Sequence, residues 1–257
     1  MCYPARVSVA SPVLSPVKPR HSAVVRITHW LTVISFVALL ITGAEIVISH
    51  PRFYWGETGN VNMHPLFTLH IPSSRDTVPT GYGFVMPDQN GWSRYLHFQA
   101  AWLLVFTALV YGISSLLTGH FRRNIFLARG QRTWRAVWGV VSRYLHRGKP
   151  NEAEAHSYNA LQRIAYVVVI FVLFPLVIWT GLALSPAFNS AFPFAVNVLG
   201  GRQSARTLHF FVSAFLVLFL VVHVTMVALG GFRSRMRAMI TGRVGGPGLR
   251  GSAREDR

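Results

Sequence analysis

The sequence predicts an all-α membrane protein, an integral four-helix bundle, and three observations lead to this prediction. Hydrophobic residues make up 51% of the chain and charged residues only 13%, which is unlike the composition of water-soluble domains. Four apolar stretches are each long enough to cross about 30 Å of hydrocarbon, which takes roughly 20 residues. Because backbone polar groups inside a membrane must be satisfied within their own segment, these stretches are predicted to be helices.

The four predicted spans are separated by connections of different character. Their boundaries are residues 27–48, 95–117, 164–184 and 208–229. In the second connection, over residues 131–147, apolar side chains recur at helical spacing between arginines. This pattern is typical of an amphipathic helix that lies in the headgroup region of the membrane.

We interpret the whole chain, 1–257, as a single membrane domain. A tail at 1–23 precedes the bundle at 24–237, and a disordered basic tail at 238–257 follows it. The bundle includes a long connection, 49–92, that is rich in aromatic residues, Gly and Pro. This connection fits both an ordered cap over the helices and a docking surface for an external partner.

Basic residues are distributed unevenly between the two sides of the predicted membrane. Segments 1–26, 118–163 and 230–257 hold 20 of the 25 Lys and Arg, whereas 49–94 and 185–207 hold 5. The positive-inside rule therefore places both termini and the second connection of a multi-pass membrane protein in the cytoplasm, with 49–92 outside. The net charge of +17 reflects this topology and attraction to anionic membrane lipid, so we do not expect nucleic-acid binding.

Four of the eleven histidines fall within the spans, where ionisable side chains are costly and usually functional. Fourteen residues separate His209 from His223, which places them on one helix face and about 21 Å apart along the axis. By depth, His29 and His223 form an inner pair, and His97 and His209 form an outer pair. This geometry suits two stacked haems, one in each leaflet. For any one histidine alone, a structural hydrogen bond to a neighbouring helix is the competing interpretation.

Three of these histidines share a local pattern, Arg-x-x-His-aromatic. It occurs at Arg26/His29/Trp30, Arg94/His97/Phe98 and Arg206/His209/Phe210. An arginine three residues before a helical ligand lies on the same face, about one turn nearer the surface. There it can pair with a haem propionate through a charge-assisted hydrogen bond. The alternative is that these arginines only extend to the headgroups at helix ends.

The remaining composition limits the chemistry. The only cysteine, Cys2, excludes an intrachain disulfide, a cysteine-ligated iron–sulfur cluster and covalent haem attachment, so any haem is b-type. Glu45 is the only carboxylate within a span, so no chain of acids crosses the membrane. Electron transfer by a bound cofactor is the chemistry that remains. A haem-free membrane scaffold or transporter with histidine proton or metal sites is the alternative from another class.

With ligand histidines in the first, second and fourth of four spans, the chain resembles the membrane cytochrome b subunits of bacterial respiratory enzymes. These are the formate dehydrogenase gamma subunit, the thiosulfate reductase cytochrome b subunit and the b-type cytochrome of nickel–iron hydrogenases. The resemblance covers roughly residues 22–237. It implies that His29 and His223 ligate an inner haem b, and that His97 and His209 ligate an outer one.

The resemblance also implies a quinone site and a redox partner. The segment Ser157-Tyr158-Asn159-Ala160-Leu161-Gln162-Arg163 is similar to a Tyr-Asn-x-x-Gln-Lys/Arg segment that lies at the quinone site of these subunits. Asn159 and Gln162 are therefore candidate quinone ligands, or else they only satisfy backbone groups at a helix start. The expected partner is an extracytoplasmic redox subunit, and the resemblance favours a molybdopterin oxidoreductase. A self-contained cytochrome b that oxidises a small donor at its outer face is the alternative within the class.

Overall fold

The structure of the protein is a computed structural model, and each helix in it can be compared with a predicted span. It describes residues 21–60, 62–71, 92–126, 160–229 and 231–242, together with the helical positions 135, 138, 139 and 142. Asn159, and most of the predicted amphipathic helix at 131–147, lie outside the described residues. The four positions described within 131–147 are all helical, namely Arg135, Trp138, Gly139 and Ser142.

In the part of the chain that the structure describes, four helices are long and apolar enough to cross a membrane, so the predicted fold class is confirmed. The first span is helix α1 (Ala23–Ser49) and the second is α2 (Trp92–Leu117). The third span covers Gln162–Leu184, and the fourth is α7 (Arg202–Leu229). The first and fourth spans begin four and six residues earlier than predicted, because polar residues outside the apolar runs continue each helix. At the start of α1, the Ser22 hydroxyl accepts a hydrogen bond from the Val25 amide (3.3 Å).

The third span is interrupted at its middle. It consists of α3 (Ala160–Val168), a π-helical segment (Val169–Leu173) and α4 (Phe174–Leu184). Pro175, in the first turn of α4, has no amide proton and would crowd the carbonyl one turn earlier in a regular helix. The wider π turn relieves this conflict. The apolar run in the sequence does not predict this π-helical interruption.

The spans pack mainly as two helix pairs, α1 with α2 and the third span with α7. The side chains that are buried within the spans are mostly small or hydroxyl-bearing, whereas many large apolar side chains point outward, as expected in lipid. Several of these buried hydroxyls donate to the carbonyl four residues earlier in their own helix, which satisfies their proton without a neighbouring helix. Such bonds are made by Ser35 (2.8 Å), Thr42 (2.7 Å), Thr107 (2.7 Å) and Thr180 (2.7 Å).

The connections at the predicted outer end contain short elements that the sequence did not predict. Two-residue strands, β1 (Arg52–Phe53) and β2 (Phe67–Thr68), pair antiparallel with Phe53 opposite Phe67. Two short helices, α5 (Pro186–Ala191) and α6 (Phe194–Asn197), link the third span to α7. Within the described residues, the regular secondary structure is therefore helical apart from this small ribbon.

A further helix, α8 (Phe232–Thr241), follows the fourth span. Gly231 and Gly242 flank it with φ of 95° and 78°, left-handed conformations that glycine adopts without steric cost. We expected the bundle to end at residue 237 and the basic tail to begin there. Helix α8 instead continues for four residues, to Thr241. The rest of that tail, 243–257, lies outside the described residues.

Candidate functional site

The fold brings the four intramembrane histidines together as two pairs. The ring centroids of His29 (α1) and His223 (α7) lie 6.5 Å apart, and those of His97 (α2) and His209 (α7) lie 6.3 Å apart. Each pair joins α7 to a helix of the other helix pair. The imidazoles therefore face each other across the space between the two helix pairs, at two depths.

Both separations suit a metal ion between two imidazoles. An imidazole nitrogen binds a transition metal at about 2.0 Å, which places the centroids of two opposing rings roughly 6 Å apart. Among the described residues, no group of three or more His, Cys, Asp or Glu side chains is placed to hold a metal. Two protein ligands per level match a cofactor that brings its other iron ligands itself, as haem does. The residues therefore fit haem better than a bare metal ion.

Each imidazole of the His97–His209 pair is held by a threonine of a neighbouring span. Thr42 Oγ1 lies 2.9 Å from His97 Nδ1, and Thr180 Oγ1 lies 2.9 Å from His209 Nδ1. The residue after each threonine is a glycine. A Cβ atom at Gly43 would lie 3.5 Å from His97 Cε1, and one at Gly181 would lie 3.2 Å from His209 Cε1. The two rings thus sit in equivalent Thr-Gly niches.

The His29–His223 pair has a different environment. His29 meets the Trp30 ring edge-on (5.4 Å between centroids), and His223 stacks against Phe219 (5.6 Å). Nδ1 of His29 is buried and has no hydrogen-bond partner among the described residues. Aromatic packing, rather than a hydroxyl group, surrounds this pair.

Arg206, one turn before His209, reaches back to the described part of the 49–92 connection, residues 50–60 and 62–71, which we call the cap. Its guanidinium donates a hydrogen bond to the His50 carbonyl and lies 5.0 Å from the centroid of the Phe53 ring. Burial is the main cause that lowers the pKa of His50, and the positive charges of Arg206 and Arg94 lower it further. His50 is thus neutral at pH 7. Arg94, the corresponding residue before His97, is exposed.

Arg26, one turn before His29, contacts α8. It donates to the Ile240 carbonyl (2.7 Å), and Trp30 donates to the Met239 carbonyl (3.3 Å). These bonds satisfy carbonyls in the last turn of α8, which have no partner within the helix. The Nε atom of Arg26 is buried and has no hydrogen-bond partner among the described residues. The first Arg-x-x-His-aromatic repeat therefore also anchors α8 beside the His29–His223 pair.

The first half of the 49–92 connection clamps the start of α7. The Gly56 carbonyl accepts from the amides of Gln203 (2.9 Å) and Ser204 (3.2 Å), and Glu57 Oε2 accepts from the Arg202 amide (3.0 Å). These are free donors of the first turn, which every helix must satisfy. One turn further, Thr207 donates to the Tyr54 carbonyl (2.7 Å). The clamp fixes the axial position of α7 and hence of His209.

An open cavity of about 570 Å³ lies between this clamp and the start of α7. Its lining combines charged and polar groups of both segments, including Glu57, Asn60, Arg202 and Arg206. The cavity reaches the arginine that precedes His209.

One of the two candidate quinone ligands can be placed. Gln162 is half-buried near the start of the third span, next to the buried Arg163, which donates to the Phe126 carbonyl (2.7 Å). Asn159 lies outside the described residues. The two are therefore not seen together.

The sequence reasoning missed the Thr-Gly niches. Within the four spans, Thr-Gly occurs only at Thr42-Gly43 and Thr180-Gly181, both near the predicted outer ends of their helices. This shared depth with His97 and His209 was the available signal. Threonine and glycine in membrane helices are usually explained by helix packing, which hides such a role.

The family described as prokaryotic cytochrome b561 has a sequence model that matches residues 20–242. The chain is 30% identical over 81% of its length to the "Putative protein-methionine-sulfoxide reductase subunit YedZ1" of Azospira oryzae, covering 90% of that protein. It is 26% identical over 88% of its length to the "Probable Ni/Fe-hydrogenase B-type cytochrome subunit" of Azotobacter chroococcum mcd 1 and of Azotobacter vinelandii, covering 86% of each. No solved structure matches the chain significantly.

Proposed function

The chain belongs to the prokaryotic cytochrome b561 family, and from this premise we propose that it is a di-haem cytochrome linking the quinone pool to an extracytoplasmic redox partner. The resemblance that the sequence suggested is confirmed by the family match and the relatives. The protein is a multi-pass membrane b-type cytochrome that transfers electrons. The number of haems, the quinone and the kind of partner are the finer parts of the proposal.

The observation that carries the di-haem proposal is the presence of two histidine pairs with nearly equal ring separations, 6.3 and 6.5 Å. In this proposal His97 and His209 ligate one haem b, and His29 and His223 ligate the other. Bound haem supplies one-electron chemistry between ferric and ferrous iron. The protein holds the ligands, excludes water from the ring faces and sets the distance between the two levels.

The three arginines before the histidines are proposed to neutralise the haem propionates. The buried Nε–H group of Arg26 has no acceptor among the described residues, and Arg206, one turn before His209, lines the open cavity. Each side chain also donates to a backbone carbonyl, Arg26 to that of Ile240 and Arg206 to that of His50, which fixes where each guanidinium lies. Arg94 is exposed beside His97 and has no bonded partner among the described residues that would hold it away.

The quinone is proposed to bind at the predicted cytoplasmic end, near the His29–His223 level. Quinone chemistry moves protons with electrons, so the site needs polar groups near the membrane surface. Gln162 is half-buried at that end, and Asn159 precedes it by three residues, one turn if the helix extends that far. Their amides are able to donate to a quinone carbonyl.

The partner is proposed to bind at the opposite end, over the cap formed by residues 50–71. The relatives carry the names of subunits of a methionine sulfoxide reductase and of hydrogenases, so they work with separate redox subunits. We propose a molybdopterin-type oxidoreductase outside the membrane, with both termini of this chain in the cytoplasm of a bacterial inner membrane. The ordered cap supports a protein partner over a small diffusible donor.

Single-histidine variants test the di-haem proposal. His209→Ala is expected to remove one haem and His223→Ala the other, because α7 contributes one ligand to each pair. Redox titration of each purified variant should show one wave lost and one kept. His64→Ala, an exposed histidine of the cap, is the matched control and should keep both waves. Loss of both haems in each single variant, with the fold intact by circular dichroism, would contradict the assignment.

The quinone proposal has its own test. Asn159→Leu and Gln162→Leu are expected to leave both haem spectra intact and to slow electron exchange with an added quinol analogue at least several-fold. Stopped-flow reduction of the haems measures this rate. Exchange at the wild-type rate in both variants would place the quinone elsewhere.

A further inference from the structure

The hydroxyl groups of Thr42 and Thr180 each lie within hydrogen-bond distance of two polar groups, although a hydroxyl has only one proton to donate. Thr42 Oγ1 lies 2.7 Å from the Ala38 carbonyl and 2.9 Å from His97 Nδ1. Thr180 Oγ1 lies 2.7 Å from the Leu176 carbonyl and 2.9 Å from His209 Nδ1. Both threonines are almost completely buried, with 0% and 1% of their surface exposed. Water therefore does not compete for either hydroxyl.

Counting protons assigns the direction of each bond. A hydroxyl has one proton, and a carbonyl oxygen can only accept, so the threonine proton goes to the carbonyl four residues earlier. The hydroxyl oxygen must then accept from the imidazole. Nδ1 of His97 and of His209 therefore carries the proton, and Nε2 of each ring keeps the lone pair that binds a metal.

The other contacts of the His97 and His209 rings also hold each ring beside its threonine. A Cβ at Gly43 or Gly181 would touch the Cε1 edge of the same imidazole, so each ring lies against the helix backbone beside its threonine. Among the described residues, His97 has Thr42 as its only hydrogen-bond partner. His209 has Thr180 in the same role.

The His29–His223 pair lacks this arrangement. The Nδ1 atom of His29 is buried and without a hydrogen-bond partner among the described residues, and its close neighbour is the edge of Trp30. The niches thus distinguish one level of the bundle from the other.

We propose that Thr42 and Thr180 are positioning residues that fix the Nδ1–H tautomer of His97 and His209 and lower the reduction potential of the haem they ligate. This inference rests on the proposed di-haem function. An acceptor on Nδ1–H makes an imidazole a stronger electron donor to its metal, which stabilises ferric over ferrous iron. Removing the acceptor should raise the potential of that haem alone.

The test uses the purified, haem-loaded protein and the variants Thr42→Val, Thr42→Ser and Thr107→Val. Valine keeps the shape of threonine but has no hydroxyl, whereas serine keeps the hydroxyl. Thr107 is the matched control, because it is also buried and donates to the Leu103 carbonyl (2.7 Å) without a histidine partner among the described residues. Potentiometric titration gives the midpoint of each haem, and low-temperature electron paramagnetic resonance gives the ligand-field signature of each.

We expect Thr42→Val to raise one midpoint, shift the resonance of the same haem and leave the other haem unchanged. Thr42→Ser should restore both readouts, and Thr107→Val should match the wild type. Thr180→Val should move the midpoint of the same haem in the same direction, because Thr180 holds the other ligand of that haem in an equivalent niche.

The outcomes separate this inference from the proposed function. A wild-type protein without haem would overturn the proposed function and the inference with it. A di-haem wild type whose midpoints and resonances are unchanged in Thr42→Val and Thr180→Val would overturn the inference alone. An equal shift in Thr107→Val would also overturn it, because general packing would then explain the change.

Discussion

At the scale of single residues, the space beside each imidazole differs between the two niches. A Cβ at position 43 would make an ordinary contact with His97 at 3.5 Å, but one at position 181 would approach His209 at 3.2 Å. Gly181→Ala should therefore displace the His209 ring by a few tenths of an ångström, whereas Gly43→Ala should be tolerated. The haem resonance of the His97–His209 level should broaden or shift more in Gly181→Ala. The reverse order would contradict the geometry of the niches.

His50 makes stability depend on pH. Its pKa in the folded protein is lowered below the ordinary 6.5 by burial first, and then by Arg206 and Arg94. As pH falls through 6.5, the unfolded chain takes up the proton before the folded one, so the free energy of unfolding decreases. Above pH 6.5 the residue is neutral in both states and has no effect.

His50→Gln should therefore flatten the decrease in thermal stability between pH 7 and pH 5. His64→Gln, a substitution at an exposed position of the cap, controls for the loss of a histidine as such. Thermal unfolding in detergent, followed by circular dichroism, measures both. A wild-type slope in His50→Gln would show that His50 does not carry this pH dependence.

Some site residues were predictable from the sequence and others were not, for a physical reason. The pairing of His29 with His223 and of His97 with His209 follows from depth, because helix rise and membrane thickness fix where each residue lies. The Thr42–His97 bond depends instead on the rotation of α1 relative to α2, which hydropathy does not encode. The partners of Arg26 and Arg206 depend on α8 and the cap in the same way.

At the scale of elements, the contact between the cap and α7 requires glycine at position 201. Gly201 has a φ of +107°, and a Cβ there would lie 2.6 Å from the backbone of Gly56. Gly201→Ala should force the cap away from the first turn of α7, in addition to the cost of a left-handed backbone, which is about 1–3 kcal/mol.

Gly56→Ala is the matched control for this prediction. Gly56 has a similar φ of +100°, but a Cβ there would meet nothing within 4 Å. Gly56→Ala should therefore destabilise the protein only through its left-handed backbone conformation. Gly201→Ala should lower the melting temperature further and release the proposed haem near His209 more readily. Equal effects of the two substitutions would mean that the close approach is unimportant.

Two features at this scale, the π turn of the third span and the helix α8, could not be predicted from the pattern of apolar residues. The run at 164–184 predicted a helix in the right place, but the π turn at Val169–Leu173 arises from the backbone chemistry of Pro175. The short, basic α8 is stabilised by contacts with Arg26 and Trp30 at the far end of the chain. Hydropathy detects membrane spans and is insensitive to both features.

At the scale of the whole molecule, the four spans form a frame around two levels of facing imidazoles. Helix α7 contributes one histidine to each level. The cap binds its first turn, and α8 follows its last. One end of this frame carries the cap and the polar cavity, and the other carries Arg26, α8 and Gln162. This two-level frame suits the proposed transfer of electrons between a partner at one face and quinone at the other.

Haem stoichiometry tests this account most directly. A pyridine haemochrome assay on the purified protein, with the polypeptide quantified by amino-acid analysis, measures haem b per chain. The account predicts a value close to two, one for each histidine pair. A value close to one in a fully loaded protein, or a protein without haem, would contradict it.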